Sequence, residues 1–275
     1  MKRIISIQDI SCIGKCSLTV ALPIISALGI ECSIVPTAIL STHTQFKGFT
    51  FRDLTDDLDP IREHWMSEGF KFDAIYTGYL GSERQVDLVI KYFESFGQNC
   101  PKIVDPAMAD GGKLYAGFDD EFPLSMAKLC GHADIILPNI SEACLMTGSE
   151  YPGEDADETT LRALLNKLTN LGAKIVVITG VTLSDGTFGF IGYNTEDNTY
   201  FKYGAPKVPY KSHGTGDVFA SAFTGAHVRG KDIFEALKIA ADFTSASIRN
   251  TYEDPDSVNY AVNFEYEIPK LIAQF

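Results

Sequence analysis

The stretch Lys211-Ser212-His213-Gly214-Thr215-Gly216-Asp217-Val218-Phe219-Ala220 sets an aspartate at the start of a small-residue helix, directly behind two glycines. Those residue types at that spacing suit phosphoryl transfer. Glycines let consecutive backbone N–H groups point into one concavity, and a helix start adds about half a positive charge there. An aspartate fixed beside such a hole can accept the proton of an attacking hydroxyl. The same residues also describe a plain tight turn with an N-terminal acid on a helix dipole. The rest of the chain decides between the two.

Short runs rich in Ile and Val recur at Ile4–Ile7, Cys32–Val35, Ala74–Tyr76, Ile103–Val104, Ile135–Leu137 and Ile175–Ile178. Helical patterns separate them at Ser17–Leu28, Thr55–Ser67, Glu83–Phe96, Asp120–Cys130, Asn139–Met146 and Glu158–Leu171. Continuous apolar strands joined by crossover helices predict a mostly parallel central sheet buried on both faces, a three-layer αβα sandwich. The alternating segments Thr187–Tyr193 and Thr199–Tyr203 predict a hairpin, and helices at Asp217–Arg229 and Ile233–Tyr252 follow. Gly148–Asp157 is the most linker-like stretch, but it lies inside the unbroken α/β alternation. Residues 1–275 are therefore read as one domain.

In open α/β sheets functional groups gather at the carboxyl ends of strands. Asp9, Ser41–Phe46, Gly78–Ser82, Asp105-Pro106, Pro138–Glu142 and Thr179-Gly180 all fall there. Surface turns alone do not explain so many polar loops on one rim. Each residue has a plainer reading as well: Asp105 as a turn starter before proline, Glu142 as a helix N-terminal acid, Tyr79 as core, and Phe46, Phe49 and Phe51 as packing. His43 is given a positioning role, since Asp217 already supplies a base. Gly111-Gly112 is read as a mobile flap.

Composition limits the partners. The 275 residues are 45% hydrophobic and 21% charged, enough for a large core, and the net charge of −13 repels nucleic acid and anionic membranes. An anionic substrate then needs local compensation, which favours a metal-bound nucleotide. The six cysteines form no Cys-x-x-Cys pair and no zinc spacing, so they are read, Cys16 included, as small buried hydrophobes in a reducing cytoplasm. No apolar run reaches a membrane span.

In order and over almost the whole length, Ile7-Gln8, Ser41-Thr42-His43-Thr44-Gln45-Phe46, Thr77-Gly78-Tyr79-Leu80-Gly81-Ser82, Val104-Asp105-Pro106-Ala107-Met108, Leu137-Pro138-Asn139 with Glu142, and Gly214-Thr215-Gly216-Asp217 resemble the ribokinase-like superfamily. His43-Thr44-Gln45-Phe46 and Gly78-Tyr79-Leu80-Gly81-Ser82 narrow the resemblance toward the pyridoxal (vitamin B6) kinases. It implies ATP as donor, Mg²⁺, a possible monovalent cation and a homodimer. It makes Asp217 the base and Gly214, Thr215 and Gly216 the anion hole. Asp9, His43, Thr44 and Tyr79 would meet the acceptor. Asp105, Asp110, Tyr115, Asn139, Glu142 and Thr179 would serve Mg-ATP, with Glu142 and Asp105 on the metal side. Asp9 departs from the serine common in vitamin B6 kinases and is similar to the acid of the sugar kinases and of the hydroxymethylpyrimidine kinases of thiamine synthesis, the latter standing as the alternative. A sugar kinase is disfavoured because Ile10–Thr37 leaves no room for a lid, and a silent nucleotide-binding protein because Gly-Thr-Gly-Asp is intact.

Overall fold

In the computed structural model, which describes residues 1–258 and 260–275, the apolar runs assemble into a nine-stranded sheet. Along the chain the elements are β1 (Arg3–Ser11), α1 (Leu18–Ala27), β2 (Glu31–Leu40), β3 (Phe51–Asp53), α2 (Thr55–Ser67), β4 (Ala74–Thr77), α3 (Glu83–Phe96), β5 (Lys102–Val104), β6 (Ala109–Asp110), β7 (Lys113–Leu114), α4 (Phe122–Gly131), β8 (Ile135–Ile136), α5 (Ile140–Thr147), α6 (Glu158–Thr169), β9 (Ile175–Thr182), β10 (Phe188–Asn194), β11 (Thr199–Ala205), α7 (Thr215–Val228), α8 (Ile233–Glu253) and α9 (Ile268–Ile272). In space the strands run β11-β10-β9-β8-β5-β4-β1-β2-β3. Those from β9 to β2 are parallel, while the β10–β11 hairpin and β3 add antiparallel edges.

A parallel sheet must be covered on both faces, and alternation along each strand divides the work. Ile5, Ile75 and Val104 pack under α2 to α6, whereas Ile4, Ala74 and Ile103 pack under α1, α7 and α8. Each fully buried aliphatic side chain contributes ~1.5–3 kcal/mol. The expected three-layer sandwich is thus found, and no separate lid is inserted among the described residues. None of the described helices is long and apolar enough to cross a membrane.

Three features go beyond the predicted elements. Strand β2 continues past Val35 to Leu40, because β3 pairs only with Ala38–Leu40 and leaves one side of Pro36 without a ladder partner. Opposite it, the β1–β2 register slips between Gln8 and Ile10, a bulge centred on Asp9. Gly111-Gly112 is not an unrestrained loop: with φ of 56° and 76° it makes the two-residue turn of the β6–β7 hairpin. The Gly112 N–H donates to Ser141 Oγ at 2.8 Å, and the Tyr151 ring occupies the space a side chain on Gly112 would need. Finally, residues 260–272 fold back along α1 and α8, burying Val262, Phe264 and Leu271.

Candidate active site

Helix α7 begins at Gly214-Thr215-Gly216 for a steric reason. Gly214 caps it with φ 75°, and the main-chain oxygen of Lys15 fills the place of any β-carbon there. Farther along, the small face of α7 packs closely on α1, with Gly225 against Leu28. This packing brings Ser17, just ahead of α1, to Asp217. Burial pushes the Asp217 carboxyl up to about 7; the Ser17 amide pulls it back, and the nearby Asp9 charge raises it further. A base poised near neutrality is what proton abstraction from an alcohol requires.

The bulge turns Asp9 inward. It is 4% exposed, accepts a hydrogen bond from Ser11 Oγ at 2.9 Å, and is pushed upward mainly by burial. Tyr79 stands within reach of the Asp9 charge, its phenol pushed up to about 12 chiefly by burial, and its ring lies 5.5 Å from that of Phe118. His43 Nδ1 accepts the Gln45 N–H at 3.3 Å, so Nε2 carries the proton and donates to the Tyr260 carbonyl at 3.1 Å. With its basicity lowered by burial, His43 is a fixed neutral donor, in keeping with a positioning role. Thr44 lies exposed on the rim.

On the other side of Asp217, Asn139 and Glu142 form a capping box at the start of α5. Glu142 accepts the Asn139 amide at 2.8 Å and the Met108 amide at 3.1 Å, with Ala109 N at 3.5 Å, while Asn139 Nδ2 donates to the Ala109 carbonyl at 2.8 Å. The box therefore ties α5 to the root of the β6–β7 flap. Burial outweighs these amides and pushes Glu142 up to about 7. Asp105 is raised by burial, then by Glu142 and Asp217, and its carboxylate is 3.7 Å from where a β-carbon on Gly216 would begin. Asp110 is exposed and accepts the Gly111 amide at 2.8 Å. Tyr115 has its hydroxyl raised by burial and by Glu142. Thr179 sits on the rim, its N–H on the Pro138 carbonyl at 2.9 Å.

Asp9, Asp217, Asp105 and Glu142 thus form a row of acids, neighbouring pairs of which feel one another's charge. Such a row holds charge only with a cation at hand. Hard carboxylate oxygens fit Mg²⁺, which keeps several waters and takes one or two carboxylates plus phosphate. Among the described residues no group of three ligands is preassembled, and Glu142 is already engaged by backbone amides, so Asp105 is the freer of the two proposed metal-side acids.

Several contributors carry no motif. The Cys16 thiol feels both Asp217 and Asp9, and burial with those charges pushes its pKa up, so it stays a protonated thiol near these two acids. Lys15, with φ 47°, donates to Glu265 at 2.9 Å and to Asn263 at 3.1 Å. In the segment Gly14-Lys15-Cys16-Ser17 three residues, Gly14, Lys15 and Ser17, take positive φ.

Comparisons with known proteins place the chain in a family. Residues 22–261 match the model of the phosphomethylpyrimidine kinase family. A Bacteroides thetaiotaomicron protein assigned as a phosphomethylpyrimidine kinase, in an orthorhombic crystal form with pyridoxal, is 36% identical over 98% of this chain and 95% of its own, with a TM-score of 0.91. Pyridoxal kinase from Lactobacillus plantarum is 30% identical over 100% of this chain and 98% of its own, also with a TM-score of 0.91. The hydroxymethylpyrimidine/phosphomethylpyrimidine kinase of Aquifex aeolicus is 29% identical over 81% of this chain and 85% of its own.

Proposed function

The chain belongs to the phosphomethylpyrimidine kinase family, and from that premise we propose that it phosphorylates the 5′-hydroxymethyl group of pyridoxal, pyridoxine or pyridoxamine at the expense of ATP. The observation that carries the reading is Asp217, a half-buried carboxylate at about 7, held behind the Gly214–Gly216 turn and facing Asp9. In this reading the acceptor hydroxyl gives its proton to Asp217 as its oxygen attacks the γ-phosphorus in line. The bond to the β-phosphate oxygen breaks, and ADP leaves. The amides of Gly214, Thr215 and Gly216 hold the phosphoryl oxygens, so positioning and electrostatics supply most of the rate.

On the acceptor side Asp9 binds a polar ring substituent, Tyr79 lies along the ring, and His43 and Thr44 border it. On the donor side Asp105, Asn139, Glu142, Thr179 and the flap residues Asp110 and Tyr115 surround the phosphates. Mg²⁺ near Asp105 and Glu142 would neutralise the nucleotide phosphates; a monovalent cation, a homodimer and a cytoplasmic location complete the proposal.

A specific observation favours one second reading. The buried Asp9 suits an amino group as well as a hydroxyl, which admits hydroxymethylpyrimidine as acceptor. A coupled ADP-release assay with Mg-ATP against pyridoxal, pyridoxine, pyridoxamine, hydroxymethylpyrimidine and ribose separates them, with Asp217→Asn as control. Turnover on a vitamin B6 compound that is lost in the variant supports the first reading. Turnover confined to the pyrimidine replaces it with the second, and turnover on none overturns both.

A further inference from the structure

Beneath Asp217 the sheet carries a polar island that neither the motifs nor the mechanism use. Tyr76 is fully buried in the middle of β4, on the face packed under α7. Its neighbour across the β1 ladder is Ser6, and Gln8 stands two residues farther on the same face. Its neighbour on the other side is Ile103, so Asp105 lies one pleat above it. Ser221 lies one helical turn beyond Asp217 on α7, on the same stripe. Register and helix period therefore converge on the Tyr76 hydroxyl, with the Asp217 and Asp105 carboxylates overhead.

The placement is costly. The Tyr76 hydroxyl faces Ser221 and Gln8, yet Tyr76 OH, Ser221 Oγ and Gln8 Oε1 all lack a hydrogen bond of good geometry. A buried polar atom left this way costs about 1–3 kcal/mol, and phenylalanine at position 76 would avoid that cost. Three buried oxygens without a hydrogen-bond partner, set under two carboxylates, make sense if their dipoles orient toward the charge above.

We propose that Tyr76 is a positioning residue for phosphoryl transfer: with Ser221 and Gln8 it forms a buried dipolar support that favours the ionised form of Asp217. The inference rests on the kinase reading above. Besides Tyr76, the groups that face Asp217 are Asp9 from β1, Cys16 and the Ser17 amide from the loop before α1, Asp105 after β5 and Tyr115 after β7. None of these side chains is a cation, so a neutral dipole is the available support from below.

The test is the pH profile of kcat/KM in the parent, Tyr76→Phe and Ser221→Ala. The expected result is an acid limb displaced upward by about half to one pH unit in Tyr76→Phe, one unit being tenfold in the equilibrium, and less in Ser221→Ala. The loss should be larger at pH 6 than at pH 8.5, with thermal stability equal to the parent or higher. An unmoved limb in a folded Tyr76→Phe overturns the proposal; if that variant does not fold, an unmoved limb in Ser221→Ala does so. Carboxyl ¹³C NMR of aspartate-labelled protein, with Asp217→Asn to assign the signal, reads the same midpoint without turnover. Failure of the kinase reading is thereby kept apart from failure of the support.

Discussion

The main-chain oxygen of Lys15 occupies the space in which a β-carbon on Gly214 would sit. The loop ahead of α1 and the turn ahead of α7 are therefore pressed together, and the proposed anion hole has no room for a side chain at Gly214. Gly214→Ala adds left-handed strain of about 1 kcal/mol to that collision, and the turn must shift. The expected outcome is a fall in kcat of about 10²-fold or more, the range for losing one oxyanion-type donor, with the fold retained by circular dichroism.

Asp217→Asn removes the proposed base while keeping its shape. Turnover in the ADP-release assay should drop by about 10² to 10⁴, with nucleotide affinity by calorimetry nearly kept. Near-normal turnover removes Asp217 from the mechanism.

The raised acids make activity and stability depend on pH in opposite senses. Burial pushes Asp217 and Glu142 up to about 7 in the folded protein, above their ordinary values of 3.8 and 4.5. The folded state therefore binds more protons than the unfolded chain between about pH 4 and 7, so their contribution makes stability fall as pH rises through that window and level off above it. With ionised Asp217 as the proposed base, kcat/KM should rise through about pH 7. Urea unfolding of Asp217→Asn beside the parent checks the sign: the variant should be the more stable at pH 8, with the difference shrinking at pH 5.

Glu142 and Asn139 hold the root of the β6–β7 hairpin through Met108 and Ala109, beside their proposed role at the phosphates. Asn139→Ala deletes a helix cap and the bond to the Ala109 carbonyl, a loss of about 1–2 kcal/mol. Thermal unfolding should register that loss, and KM for ATP should rise more than KM for the acceptor. Equal changes in the two KM values would argue against a flap-anchoring role.

Asp9→Asn tests the acceptor side. It keeps the Ser11 contact but removes the charge, so KM for the acceptor should rise and KM for ATP should not. In the pyrimidine reading the loss falls hardest on hydroxymethylpyrimidine in the acceptor panel.

Much of this was legible in the chain because it is written in local pattern. The runs at Ile4–Ile7 and Ile175–Ile178 and the glycines before Asp217 each carry their own period or turn chemistry. What escaped is held by relations between distant segments. Tyr76 reads as an ordinary core strand residue, since nothing local reveals that Ser221 and Asp105 stand over it. Tyr260 reaches His43 through a carbonyl, which no side-chain motif records. The apolar run Cys32–Val35 does not show that the strand continues through Pro36 to Leu40, which only the position of β3 explains.

The contacts that brace the acceptor side span nearly the whole chain: His43 with Tyr260 across 217 positions, Lys15 with Asn263 and Glu265 across 248 and 250. Loop closure over such distances is slow and comes after local pairing. The sheet and its helices can thus collapse before the site is braced, and competence to bind the acceptor becomes a late event in folding. A refolding chain should recover its helical signal first and its catalytic turnover last.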